Sequence, residues 1–105
     1  MRTSRLNLTE NRQMKKEFYF YTDPGHGWLE VPRDLLAELG ISERVSSYSY
    51  QRGGQVYLEE DCDYSLFRRA MMDAGREFTT ADIHTDGNSF IRSLPSYRAE
   101  QLQEG

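Results

Sequence analysis

The stretch EFYFYTDPGHGWLEVP, residues 17–32, decides how this chain is read. In its first half Phe18 and Phe20 alternate with Tyr19 and Tyr21, the two-residue period of a β-strand. Both faces of that strand are largely apolar, which predicts a strand that is central or covered on both sides. Asp23-Pro24-Gly25 is turn chemistry: proline presets φ, and the glycine is expected to supply a positive φ. WLEV then returns as a second strand, so the whole stretch predicts a hairpin with a loop of about four or five residues.

The hairpin runs straight into a helix. Pro32 suits the first helical position, where its missing N–H would be unpaired in any case. Leu35, Leu36 and Leu39 then share one helical face, and Gly40 stands where a left-handed cap ends the helix. VSSYSYQ, residues 45–51, alternates again and predicts a strand with Ser46, Tyr48 and Tyr50 on one face. Arg52-Gly53-Gly54 makes a turn, and QVYLE comes back with Val56 and Leu58 toward the core and Tyr57 opposite.

The acidic run EEDCD, residues 59–63, leads into a second helix over about 63–74, with Asp61 or Asp63 expected as its N-cap. Its apolar stripe is Leu66, Phe67, Ala70, Met71 and Ala74, and Gly75 ends it. REFTTADIH, residues 76–84, reads as a last strand, and SFIRSLPSYR, residues 89–98, reads as irregular because Pro95 blocks a helix. The order ββαββαβ predicts an α+β domain: a mainly antiparallel sheet of about five strands with two helices packed on one face. The domain is expected over 17–97, between a flexible or partly helical arm at 1–16 and a frayed tail at 98–105.

Composition bounds the function. The 105 residues suffice for one domain, and the 12% of aromatic residues argues against disorder. The net charge of -4 and a pI near 5.1 lack the basic signature of a nucleic-acid-binding domain. One cysteine, Cys62, leaves no disulfide within the chain, which suits a reducing compartment. No apolar run reaches a membrane span, and MRTSRLNLTENRQMKKE has no signal-peptide core, so a soluble cytoplasmic protein without membrane partners is expected.

No catalytic set emerges. His26 and His84 are the two histidines, and a site using both with Cys62 or an acid requires them to converge. No pair shows metal-motif spacing, so neither a metal nor a cofactor is expected. Cys62 stands between Asp61 and Asp63, whose charge opposes thiolate formation. The acids Glu59, Glu60, Asp61 and Asp63 are accounted for by helix capping, since they lack the pattern and central glycine of a calcium loop.

Tyrosine, tryptophan and arginine are the residue types enriched at interface hot spots. The candidate contact surface is therefore Asp23, His26, Trp28, Tyr48, Tyr50, Arg52 and Arg92, with Trp28 as a largely buried anchor and the glycines around His26 allowing close approach. The expected activity is binding of a protein partner rather than catalysis. A nucleic-acid partner is not expected, and homodimerisation through an unprotected strand edge is compatible with the pattern.

Two resemblances bear on this. WLEVPRDLLAELGI followed by a strand-turn-strand, residues 28–60, resembles the swapped-hairpin AbrB/MazE type of module, which implies a dimeric DNA-binding regulator. The basic N-terminal loop of those modules is replaced here by DPGHG. Over residues 19–97, the phrases YTDPGHGWLEVP, YSYQRGGQVYLEEDCDYSLF and HTDGNSFIRSLPSY resemble a family of short bacterial, plasmid and phage proteins. That resemblance implies a mobile-element or bacterial cytoplasmic setting and transfers no activity; a mobile-element factor that modulates or inhibits a host complex fits it.

Overall fold

A computed structural model describes residues 16–99; the arm expected before them and the tail from 100 onward lie outside the described residues. Strand β1 (Lys16–Thr22) and β2 (Gly27–Pro32) form the expected antiparallel hairpin, with Phe20 opposite Leu29 and Thr22 opposite Gly27. Helix α1 (Arg33–Glu38) follows, then β3 (Tyr50–Arg52), β4 (Gln55–Glu59), helix α2 (Asp63–Asp73), β5 (Phe78–His84) and a 3-10 helix (Phe90–Ser93). The fold is α+β, with five strands in the order β3-β4-β2-β1-β5.

Three pairings are antiparallel, and the fourth departs from a simple meander: β5 lies parallel to β1 along its full length, from Lys16 opposite Phe78 to Thr22 opposite His84. Helix α2 is the crossover that makes this possible, because a parallel neighbour cannot be reached by a tight turn.

Alternation divides the sheet into two faces. The inner face carries Phe18, Leu29, Val31, Val56 and Leu58, which pack with Leu35 and Leu36 of α1 and Phe67 and Met71 of α2. Full burial of such a side chain contributes about 1.5–3 kcal/mol. The outer face carries Trp28 and Tyr57, both fully buried, packed with Ile91, Tyr21, Tyr50 and Leu94. The segment 89–97, expected to be irregular, is what covers them. Ser89 caps its 3-10 turn by accepting from the Ile91 N–H, and the chain runs on to bridge Ser96 to Tyr50. Tyr97 then reaches round to the inner core, its hydroxyl donating to the Ser42 carbonyl at 2.6 Å. Order continues past the predicted boundary at 97: the Arg98 N–H donates to Gln51 Oε1, and the Arg98 carbonyl accepts from Arg33.

The strand expected at 45–51 is confined to its end. Residues 45–49 turn instead, and the cause is Asp63. Its Oδ2 accepts from the Ser46 N–H at 3.0 Å, the Ser46 hydroxyl at 2.7 Å and the buried Ser49 hydroxyl at 2.6 Å. Asp63 therefore does not act as the N-cap expected of it, nor does Asp61; Cys62 occupies that position without a side-chain cap. Ser49 also accepts from the Glu59 N–H at 2.9 Å, so one buried network joins the 46–49 loop, the end of β4 and the start of α2.

Asp63→Ala is expected to lower stability by about 2–3 kcal/mol, because it strands two serine hydroxyls and a backbone N–H. Urea unfolding should show a lower midpoint with an unchanged slope. Asp63→Asn, which keeps an acceptor oxygen, should fall between the two.

Candidate functional site

Five of the seven predicted surface residues come together. His26, Trp28, Tyr48, Tyr50 and Arg92 line one cleft of about 320 Å³ with Glu59, Asp61 and Cys62. Four separate segments build it: the 23–28 turn with β2, the loop into β3, the turn after β4, and the 3-10 helix. Asp23 and Arg52 stand outside this lining. Arg52 lies over the Phe90 ring, 4.8 Å from its centroid, and its Nη2 is 3.4 Å from the Tyr57 hydroxyl.

Asp23 is much more than the turn residue its neighbours suggest. Its carboxylate, only 1% exposed, accepts from the Gly25 and His26 N–H groups at 3.0 Å, which shapes the turn. It also accepts from the Ser89 N–H at 2.9 Å and from Arg92 twice, Nε at 2.6 Å and Nη2 at 2.9 Å. The Arg92 pair, more than the backbone donors, holds this carboxyl well below the usual carboxylate range. Arg92, fixed by the fork, lies over the Trp28 ring at 5.3 Å from the centroid.

The turn glycines are explained by this packing. A Cβ on Gly25 would come within 2.9 Å of Arg92 Nη2, and one on Gly27 within 2.7 Å of the Phe20 ring. Gly25 is not among the glycines of positive φ, which are Gly40, Gly53 and Gly75, so the expected positive φ of the Asp-Pro-Gly turn is corrected. Small size is needed at 25 and 27 for the fold itself.

His26 is 43% exposed, with Nδ1 3.2 Å from Glu59 Oε2 and its ring 6.0 Å from that of Trp28. Glu59 Oε1 accepts from the Asp61 N–H at 3.1 Å. Glu59 is thus a buried member of the site at the end of β4 rather than a capping acid. Cys62 lines the cleft, but crowding by protein atoms, and then the carboxylates of Glu59, Asp63 and Asp61, push its thiol up. That is the opposite of an activated nucleophile.

His84 is elsewhere. It sits on β5, with Nδ1 2.8 Å from Thr22 Oγ1 and Nε2 3.4 Å from Asp86, and it does not line the cleft. The convergence that a two-histidine site requires is absent between His26 and His84. Trp28 and Tyr57 anchor the outer face differently. The Tyr57 hydroxyl donates to Glu30 Oε2 at 2.8 Å, and burial with that acceptor pushes its pKa up to about 12. Trp28 Nε1 is buried with no acceptor among the described residues.

Among the described residues no helix is long and apolar enough to cross a membrane. Comparison with family models, with curated proteins and with solved structures finds no match to this chain.

The depressed Asp23 pKa sets a pH dependence. Its folded value lies below its unfolded value, so its stabilisation is complete above the unfolded carboxylate range, near pH 4, and is lost as the pH falls through the folded value. Asp23→Asn is expected to lower the melting temperature at pH 7 and to flatten the loss of stability below about pH 4. Melting curves of both proteins from pH 2 to pH 7 check this; parallel curves would show that the Asp23 carboxylate is not the titrating group.

Proposed function

We propose that this chain is a small non-enzymatic protein-binding module whose contact surface is the cleft bounded by His26, Trp28, Tyr48, Tyr50 and Arg92. The observation that carries the proposal is that convergence: residues chosen as interface types, scattered over four segments, share one open cleft. Trp28 and Tyr50 give it an aromatic wall, with ring centroids 6.3 Å apart. Tyr48, 68% exposed on the loop locked by Asp63, offers a large amphipathic side chain to a partner. Arg92 is held in place before any partner arrives, which lowers the ordering cost of association.

Rigid aromatic anchors beside a fixed arginine suit insertion of a side chain or short segment from another protein. The one thiol in the cleft, Cys62, is pushed away from its thiolate form by crowding and by the Glu59 carboxylate, and His26 faces that same carboxylate, which is not the arrangement of an activated nucleophile. A cytoplasmic bacterial, plasmid or phage setting, in which the module modulates or inhibits a host complex, is the wider reading that the sequence resemblance supports. The DNA-regulator alternative draws no support from the surface described, where acidic Glu59 and Asp61 line the cleft and Arg92 is already paired.

The test is affinity capture from a native-host lysate, followed by titration of the purified partner. Tyr48→Ala is expected to weaken that partner at least tenfold, an interface hot-spot effect of roughly 1.4 kcal/mol or more. Met72→Ser, on the exposed side of α2, should leave it unchanged. No stable partner, or one that is lost with Met72→Ser and kept with Tyr48→Ala, would refute the proposal.

A further inference from the structure

We infer that His26, Glu59 and Asp61 form a site for one divalent transition-metal ion of the Zn2+ class. One ligand atom from each of the three lies within 4.8 Å of the others. The His26 Nδ1 to Glu59 Oε2 distance of 3.2 Å, that of a hydrogen-bonded pair, also fits two atoms sharing an ion, since metal bonds of about 2.0–2.2 Å place neighbouring ligands roughly 3–3.5 Å apart. Asp61 is exposed, so its carboxylate can swing the remaining distance without disturbing the core.

The burial of Glu59 favours this assignment over an ordinary surface pair. Its side chain is 10% exposed, and among the described residues its ion-pair partner is His26, a group that carries full charge only when protonated. Buried carboxylates are as a rule paired or coordinate metals. The Asp61 N–H bond to Oε1, together with a hydrogen bond from the Cys62 thiol, fixes the Glu59 carboxylate, whose Oε2 lies 3.2 Å from the histidine.

Three protein ligands leave a borderline ion an open position for water or for a ligand atom from a bound molecule. One imidazole with two carboxylates suits Zn2+ or a neighbouring first-row ion better than Mg2+, which favours oxygen ligands and its own water shell.

This site goes beyond the protein-binding proposal and does not rest on it, because metal affinity is read on the isolated chain. The test is calorimetric titration of the full chain, stripped by chelator, with ZnCl2 and separately with MgCl2, alongside native mass spectrometry. One Zn2+ per chain is expected, with little response to Mg2+. His26→Ala and Asp61→Asn, both at exposed positions, should each weaken Zn2+ at least about tenfold. His84→Ala, which removes the exposed histidine beside Asp86, should leave the affinity unchanged. Circular dichroism confirms that each variant is folded before titration. Absence of saturable 1:1 binding, retention of wild-type affinity in His26→Ala, or loss confined to His84→Ala would overturn the assignment.

Discussion

One buried carboxylate holds this molecule in its observed shape. Asp23 takes hydrogen bonds from its own turn and from Ser89 and Arg92, which lie 66 and 69 positions away. The hairpin turn and the C-terminal segment are thereby fixed to each other. Without that joint the outer face of the sheet, with Trp28 and Tyr57, would lose the cover supplied by Ile91 and Leu94. A charge so buried persists only when its donors satisfy it, and here five donors do. The second fastening lies at the other end of the same segment. There the Tyr97 N–H donates to the Ser49 carbonyl at 2.8 Å, and Arg33 binds the Arg98 carbonyl at 2.9 Å.

These fastenings turn a two-layer α+β unit into three layers, and the cleft exists because of the third. Arg92 reaches the cleft only because the 3-10 helix is docked. Tyr48 and Tyr50 reach it because Asp63 curls the 46–49 loop. Both walls are thus positioned by buried acids that the cleft itself does not expose. Under the proposed function, the fixing of Arg92 by Asp23 leaves that side chain little freedom to lose in an association.

Much of the scaffold was legible in the sequence because its signals are local. Alternation in EFYFYT, the leucine helix after Pro32 and the glycine turn at 53–54 depend on near neighbours, and each produced the expected element, although Pro32 ends β2 and stands just before the helix instead of at its first position. Apart from the place of Pro32 and the φ of Gly25, both local expectations, the failures involve distant partners. The parallel placement of β5 beside β1 is a choice of neighbour that no pattern within FTTADIH encodes. Residues 46–49 alternate like a strand, yet three hydrogen bonds to Asp63 outweigh that tendency. The cleft was half legible. Residue type selected His26, Trp28, Tyr48, Tyr50 and Arg92, but Glu59 was hidden within an acidic run whose members are indistinguishable until the fold buries one of them. Asp23 was hidden in another way: Asp-Pro-Gly already accounts for an aspartate, and nothing nearby announces a partner at Arg92.

The most direct test of this account is amide hydrogen exchange on the full chain, followed residue by residue by NMR. If Asp23 joins the turn to the C-terminal segment, the Gly25, His26 and Ser89 amides will be protected together and will open as one unit. Leu94, bonded within the 3-10 turn, will be protected with them. Exchange of Ser89 and Leu94 at the rate of a free chain, while the hairpin amides of β1 and β2 remain protected, would contradict it, because the outer layer would then be undocked and the cleft without its Arg92 wall.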